Sequence, residues 1–181
     1  MSKLNKAVQL ILKGEPIIVP TDTVYGLVCR YDSKEAVEKI YSLKGRSRKK
    51  PLILLGYSWK TLKKFVNVET LYATPLQKMI KKYWPGALTI ILPTSKNTPK
   101  YLNKEFNTIG IRVPNNKFLL KLLECSPGQV LASTSANISG KKGVKLIAKK
   151  VKLFIKAKKC QMSLIPSQII EIRKKRMLTI R

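Results

Sequence analysis

The chain has 181 residues, of which 44% are hydrophobic, 25% charged and 7% aromatic, and this composition fits one globular domain while excluding a collagen, a coiled coil and a disordered tail. Lys and Arg number 37 against 9 Asp and Glu, so the formal net charge is +28 and an anionic partner such as a nucleotide or a nucleic acid is expected. The absence of His excludes imidazole bases, Ser-His-Asp and Cys-His catalysis and the commonest zinc ligand sets.

Helical and strand patterns alternate along the first half of the chain. Ser2 is a suitable cap for a first helix that Gly14 ends, and Ser33 caps a second helix that runs to the basic loop 44–50 (KGRSRKK). Strands are predicted at residues 16–20, 27–30, 52–55 and 87–92, and further helices at 58–66 and 70–83. The tripeptide WPG at 84–86 ends the last of these helices.

The second half begins with a polar loop at 93–107 and continues the alternation. Strands are predicted at residues 108–113, 130–133, 167–172 and 177–180, and a helix at 117–125. Residues 144–159 fit one amphipathic helix, but 151–157 alternate as in a half-buried strand, so we favour a short helix followed by a strand. The sum is an α/β protein, a single domain over residues 1–181 with a twisted, mixed sheet flanked by helices.

Cysteine usage and apolar run lengths bear on the cellular location. Cys29, Cys125 and Cys160 are far apart and form no CxxC pair, which favours a reducing compartment. The longest apolar runs have only the length of a strand, and the N-terminal residues lack the features of a signal peptide. We therefore expect a soluble cytoplasmic protein that does not enter a membrane.

The basic excess has two interpretations. Lys and Arg are spread over the whole length, which is typical of compositional drift. They are nevertheless densest at residues 44–50, 141–159 and 173–176, so at least one strongly positive face is expected. Charge alone does not identify the partner.

Four polar features stand out from the hydrophobic pattern. Segments 20–26 (PTDTVYG) and 133–140 (STSANISG) each follow a buried strand, so each either lines a pocket or satisfies a turn. The loop 44–50 has no GxxxxGK[ST] motif, so it either binds phosphate through side-chain cations or is a solvated basic loop. Arg112 lies in an apolar strand, where it needs a buried partner or a bound anion unless it faces solvent from an edge strand.

Seven segments follow one another in a recognisable order: PTDTVYGL, IYSLKGR, KPLILL, WPGALTIILP, TIGIRVP, STSANISG and IPSQIIEI. This order closely resembles the YrdC/TsaC family, the threonylcarbamoyl-AMP synthases, from about residue 17 to the last residue. Each segment is only moderately specific, whereas the ordered set is highly specific, and STSANISG is especially close to the short bacterial form. The resemblance implies the YrdC/RibB-like fold, an open twisted sheet with a concave basic face.

The resemblance also implies an enzyme, an ATP-dependent nucleotidyltransferase. Such an enzyme makes L-threonylcarbamoyladenylate from L-threonine, bicarbonate and ATP and releases pyrophosphate, and the product serves the modification of adenosine 37 in tRNAs that read ANN codons. Neither chemical step needs a covalent nucleophile from the protein, which supplies position and positive charge. The implied partners are these small molecules, the complex that transfers the threonylcarbamoyl group to tRNA, and weakly bound tRNA.

Seven residues match the nucleotide side of the family's site. Lys44 and Arg46 match its KxR element and would neutralise the triphosphate and the departing pyrophosphate, so they are the implied catalytic residues. The other implied ATP contacts are Lys50, Thr108, Ser135, Asn137 and Arg181. Magnesium is expected with ATP and not on the protein, because Asp22 and Asp32 are the only aspartates and neither lies in a metal-ligand cluster.

Four residues match the family's contacts to threonine. Arg112 stands in the G-[IV]-R-V-P strand and would pair with the threonine carboxylate. Thr23, Ser133 and Ser167 are the other three.

The sequence departs from the family pattern at a few of its positions. Leu55 stands where many members have a histidine that contacts threonine, and Lys50 stands where asparagine is frequent. Gln168 replaces the usual threonine after Ser167, and the region of Lys152 and Lys156 is basic where relatives are often acidic. These departures concern the details of threonine recognition more than the phosphate side.

Two other functions compete with the synthase. An RNA-binding module could hold tRNA or ribosomal RNA on a basic concave surface without catalysis, and its binding would fall steeply with salt. A regulatory or maturation domain related to that of HypF carbamoyltransferases is disfavoured, because no zinc-finger or kinase-like extension accompanies it.

Overall fold

The computed structural model describes residues 2–67, 74–103, 105–140, 143–157, 162–173 and 176–180. Its helices are α1 (Lys3–Leu12), α2 (Lys34–Lys44), α3 (Trp59–Leu62), α4 (Thr74–Tyr83), α5 (Lys117–Glu124) and α6 (Lys145–Ala148). Its strands are β1 (Ile17–Val19), β2 (Gly26–Arg30), β3 (Ile53–Gly56), β4 (Leu88–Pro93), β5 (Thr108–Arg112), β6 (Val130–Ser135), β7 (Gln168–Arg173) and β8 (Arg176–Thr179). Within these ranges no helix is both long and apolar enough to cross a membrane.

The strands form one mixed sheet in the order β1-β2-β6-β3-β5-β4-β7-β8. The β3–β5 and β4–β7 pairs are parallel, and the remaining neighbours are antiparallel. This arrangement confirms the predicted α/β fold with an open, mixed sheet flanked by helices.

The two faces of the sheet are covered differently. Because side chains alternate along a strand, Ile109 and Ile111 of β5 join one hydrophobic cluster, which also takes up the buried side of α2. The second cluster lies on the other face and contains buried residues of α1 and α5 together with Val28 and Leu131 of β2 and β6. On this second face the apolar cover ends near β3, and the surface continues with residues of β5, β4 and β7, several of which are polar.

The predicted caps of the first two helices are confirmed. Ser2 Oγ accepts a hydrogen bond from the backbone N–H of Asn5, and Ser33 Oγ accepts one from that of Ala36, both at 3.1 Å. Each bond satisfies one of the N–H groups that a helix start leaves unpaired. Gly14 follows α1 with a φ of +70°, which only glycine adopts at little cost.

The segment 151–157 corrects one prediction. The short helix predicted before it is present as α6, but the predicted strand is reduced to a single parallel bridge between Phe154 and Ile18. The Phe154 ring packs edge-on against Tyr25 with 5.0 Å between ring centroids. The alternation of residues 151–157 therefore reflects side chains that pack on two sides of the segment. A longer strand does not form beside β1, which has only three residues for pairing.

Some predictions fall outside the described residues. Cys160 and Arg181 are among them, as are parts of the basic stretches 141–159 and 173–176. The helix predicted at 70–83 is described from Thr74 onward.

Candidate active site

The polar part of the second sheet face forms the floor of a pocket of about 1210 Å³. Residues at every second position of five strands line it: Ile53 and Leu55, Thr89 and Ile91, Thr108, Gly110 and Arg112, Ser133 and Ser135, and Ile169 and Glu171. A Cβ atom on Gly110 would lie 2.8 Å from Cγ2 of Ile53, so a larger residue at this position would force its neighbour on the floor to move. Because every second side chain of a strand points to the same face of the sheet, residues from distant segments of the chain lie together on this surface.

The pocket brings together most of the predicted site residues. Eight of the eleven line it, namely Thr23, Arg46, Thr108, Arg112, Ser133, Ser135, Asn137 and Ser167. Lys44 is buried behind the lining, Lys50 is exposed outside it, and Arg181 lies outside the described residues.

Arg112, at the C-terminal end of β5, has three protein acceptors. Its Nε donates to the carbonyl oxygen of Gly86 at 2.9 Å, Nη1 to Oγ1 of Thr23 at 2.9 Å, and Nη2 to Oδ1 of Asp22 at 2.6 Å. The side chain is 5% exposed and β5 is an interior strand, so the alternative of a solvent-facing residue on an edge strand is wrong. Burial lowers the pKa of Arg112, and the ion pair with Asp22 opposes that effect.

The segment after β1 both forms a turn and lines the pocket. Thr21 Oγ1 accepts from the backbone N–H of Thr23 at 3.0 Å and donates to the carbonyl of Val24 at 2.7 Å. This turn directs Thr23 Oγ1 toward Arg112 in β5, three strands away from β2. Both interpretations that the sequence left open for PTDTVYG therefore hold.

The segment before β7 joins the same end of the pocket. The backbone N–H of Ser163 donates to the carbonyl of Asp22 at 3.0 Å, and that of Leu164 donates to the carbonyl of Thr23 at 2.9 Å. Ser167 Oγ lies 3.0 Å from Oγ1 of Thr89, and both hydroxyls are buried. The late serine of the sequence is thereby placed in one pocket with Thr23.

Lys44, the last residue of α2, supports the other end of the pocket from behind. Its Nζ donates to the backbone carbonyls of Ser135 and Asn137 and lies 3.3 Å from Oδ1 of Asn137. Ser135 Oγ donates to the same Oδ1 at 2.7 Å. Burial, with a smaller effect of Arg46, lowers the pKa of Lys44 to about 8. The ammonium thus holds the STSAN loop in place, and its contact with phosphate stays a prediction.

Arg46 is the cation of the basic loop that reaches the pocket lining. Its Nε donates to the carbonyl of Lys50 at 2.9 Å and its Nη2 to that of Pro51 at 3.1 Å. Burial lowers the pKa of Arg46. Arg48, two residues further, is exposed and pairs with Glu38 of α2, so neighbouring cations of one loop have different environments.

The lining residues that the sequence analysis did not predict include two buried polar ones, Thr89 and Glu171. Thr89 and Glu171 are 1% and 7% exposed and lie in strands β4 and β7, inside segments that carried the resemblance. The sequence feature that could have predicted them is the one that identified Arg112, namely a polar residue inside an apolar strand. Glu171 is the acidic side chain of the lining within the described part of the chain.

Of the residues that depart from the family pattern, some line the pocket and others lie outside it. Leu55 lines the pocket and pairs in register with Arg112, whereas Gln168 is outside the lining. Lys152 is exposed and pairs with Glu15 at 3.2 Å beside a second cavity of about 740 Å³, which holds none of the predicted site residues. Among the described residues no group of three His, Cys, Asp or Glu side chains could hold a metal ion.

Comparison with known sequences agrees with the resemblance. The Sua5/YciO/YrdC family model, described as "Telomere recombination", matches residues 9–181. A threonylcarbamoyl-AMP synthase of Pseudoalteromonas translucida is 38% identical over 149 residues, which are 81% of this chain and 78% of that protein. One of Buchnera aphidicola is 42% identical over 130 residues, 72% of this chain and 73% of that protein.

Solved structures show the same architecture. Pyrococcus abyssi Sua5 complexed with L-threonine has a TM-score of 0.88 at 29% identity, covering 99% of this chain and 53% of that chain, so this chain spans about half of Sua5. Escherichia coli YciO has a TM-score of 0.80 at 26% identity, covering 98% and 87%. Full-length HypF, with a TM-score of 0.81 at 15% identity, shares the fold. By its sequence and its structure, the chain belongs to the Sua5/YciO/YrdC family.

Proposed function

We propose that this chain is an L-threonylcarbamoyladenylate synthase, which uses L-threonine, bicarbonate and ATP and releases pyrophosphate. The observation that carries the proposal is one pocket with two differently built ends. Arg112 and Thr108 stand at opposite ends of β5, four residues and therefore about 13 Å apart. The names of the curated relatives and the L-threonine in the Sua5 complex support the proposal.

Threonine is proposed to bind at the Arg112 end. The guanidinium receives the carboxylate, and the hydroxyls of Thr23, Ser133 and Ser167 contact the remaining polar groups. The amine nitrogen then attacks the carbon of carbon dioxide formed from bicarbonate and loses a proton, which gives a carbamate. A pocket that holds the amine in one place makes this step effectively unimolecular.

ATP is proposed to extend toward the Thr108 end. One carbamate oxygen attacks the α-phosphorus, the bond to the bridging oxygen breaks, and pyrophosphate leaves. Arg46 stabilises the charge that grows on the leaving group, while Lys44 keeps Ser135 and Asn137 in position for the nucleotide. We also propose ATP contacts for Thr108, Lys50 and Arg181, and magnesium enters as the ATP complex.

The biological setting follows from the product. An adenylate of this kind is short-lived, so we propose that it passes to the complex that modifies adenosine 37 of tRNAs reading ANN codons. That setting implies a cytoplasmic location, and we propose separately that residues 1–181 form one domain, because the strands of the described residues join one sheet.

The proposal is tested by measuring pyrophosphate release from ATP by the purified protein. Release should require L-threonine and bicarbonate together, and serine or alanine should support it poorly. Circular dichroism confirms that the protein is folded. Release that ignores threonine, or none above background from folded protein, contradicts the proposal.

RNA binding on a basic concave face is the second candidate. It is favoured by the net charge of +28 and by the exposed Arg48, Lys49 and Lys50 beside the pocket. Folded protein that binds tRNA but releases no pyrophosphate would make this candidate the better one.

A further inference from the structure

We propose that Asp22 is a positioning residue that fixes the guanidinium of Arg112 for a substrate carboxylate, an inference that rests on the proposed function. Asp22 is not part of the pocket lining, whereas Arg112 and Thr23 are. The carboxylate therefore stands behind the guanidinium and acts on the substrate through it. The pair is short, with 2.6 Å between Nη2 and Oδ1, and the two side chains are 5% and 15% exposed.

The hydrogen bonds of Arg112 leave it the donors that a carboxylate needs. A guanidinium has five N–H groups. Among the described residues three of them are taken, by Gly86, Thr23 and Asp22, each through a different nitrogen. One N–H on each terminal nitrogen remains, and two donors are what a bidentate carboxylate requires.

The main chain holds Asp22 in place independently of its carboxylate. The carbonyl of Asp22 accepts from Ser163, and the next residue is fixed by Thr21 Oγ1 and by Leu164. The side chain is thus aimed by a backbone that an Asp22→Asn substitution leaves intact. Replacing the charge while keeping the shape is therefore a clean test.

Neutralisation and positioning make opposite predictions for this pair. If Asp22 only competes with the substrate for Arg112, its removal frees a buried cation and tightens anion binding. If Asp22 positions the guanidinium, its removal lets a side chain with large rotamer entropy move, and carboxylate binding weakens. The three acceptors around Arg112 favour positioning, because each lies at good hydrogen-bond distance from a different nitrogen.

The first experiment needs no substrate. Protein labelled with ¹⁵N-arginine has seven arginines, and the Arg112 signals are assigned from their loss in Arg112→Lys. Rotation of the Arg112 guanidinium should be slow in the wild type and at least about tenfold faster in Asp22→Asn, since a charge-assisted hydrogen bond is lost. The matched control is Asp32→Asn, which alters the other aspartate, also paired with an arginine but 33% exposed and outside the pocket.

The second experiment compares two ligands by calorimetry, L-threonine and L-threoninamide, which lacks the carboxylate. The wild type and Asp32→Asn should prefer threonine by the same factor. In Asp22→Asn the affinity for threonine should fall about tenfold while that for the amide stays unchanged, so the preference shrinks. A merely structural role would weaken both ligands alike.

Three results overturn the proposal: unchanged guanidinium rotation in Asp22→Asn, equal or tighter threonine binding, or parallel loss of both ligands. A failure of the proposed synthase function gives a result different from these three. In that case the wild type itself binds no threonine, and the rotation of Arg112 still tests whether Asp22 fixes it.

Discussion

Arg112 and Lys44 are both buried cations, yet they are balanced by different partners. Arg112 has a carboxylate beside it, whereas Lys44 donates to carbonyl and amide oxygens that carry no full charge. An ammonium has three N–H groups, and the Lys44 ammonium has three acceptors in this structure. A buried charge without a counter-ion is costly, which explains why the pKa of Lys44 falls and that side chain becomes sensitive to pH.

Arg46 provides the sharpest test of the phosphate assignment at the residue scale. We expect Arg46→Ala to lower the rate of pyrophosphate release by a factor of about 100 or more, because a cation that meets the leaving group is lost. Arg48→Ala removes the same side chain two positions away, where it is exposed and pairs with Glu38. Steady-state kinetics should give near wild-type rates for Arg48→Ala, and equal effects of the two substitutions would contradict the assignment.

The low pKa of Lys44 predicts a pH-dependent stability. The folded pKa of about 8 lies below the ordinary value of 10.5, so below pH 8 folding carries the cost of burying a charge. Between pH 8 and 10.5 the folded state releases this proton first, and stability should rise with pH. Relative to Lys44→Met, the wild type should gain of the order of 2 kcal/mol of unfolding free energy between pH 7 and 10.

Urea denaturation at several pH values measures this gain. Lys50→Met is the control, because it removes the same charged side chain from an exposed position of the neighbouring loop. A constant difference between the wild type and Lys44→Met across this range would show that Lys44 keeps an ordinary pKa.

At the scale of elements, the turn before β4 connects helix α4 to the site. The carbonyl of Gly86 accepts from Arg112 Nε, and its N–H donates to the carbonyl of Val113 at 2.8 Å. A Cβ atom on Gly86 would lie 2.4 Å from the carbonyl oxygen of Tyr83, which is backbone and cannot move alone. The glycine three residues after the end of α4 is thus also the residue that supports the guanidinium.

Gly86→Ala should therefore lower stability and weaken threonine binding together. We expect a loss of about 1–3 kcal/mol in unfolding free energy and a several-fold higher dissociation constant for threonine. Asn116→Ala is the control, because it removes the cap of α5, costs about 1 kcal/mol and lies outside the pocket lining. If calorimetry showed an unchanged threonine affinity in Gly86→Ala, the turn would have no effect on threonine binding and the prediction would be wrong.

At the scale of the whole molecule, one sheet serves both stability and binding. Its first face and part of its second are closed by apolar packing, and the remainder of the second face carries hydroxyls and cations around the pocket. The net charge of +28 attracts polyanions to the molecule as a whole.

Salt should separate attraction by the net charge from recognition of threonine in the pocket. We expect the affinity for unrelated RNA to fall at least about tenfold between 50 and 200 mM salt, because phosphate contacts release counterions. Selectivity for threonine over serine should persist, since the two amino acids differ by one uncharged methyl group, whose contacts salt does not screen. Filter binding and calorimetry across this salt range measure both, and RNA affinity that ignores salt would contradict a purely electrostatic surface.

The sequence by itself determined the fold class and most element positions, because period, caps and turn residues act over a few positions. The candidate site residues came from the resemblance of its ordered segments to a known family, and their roles stay predictions. The sequence could not determine which of these side chains line the pocket and which lie behind the lining. Lys44 and Arg46 stand two residues apart, yet one lies behind the STSAN loop and the other in the lining. The contacts of Asp22 and Thr89 in the site are with partners 90 and 78 positions away in the sequence. Such contacts depend on strand order and register, which local sequence does not specify.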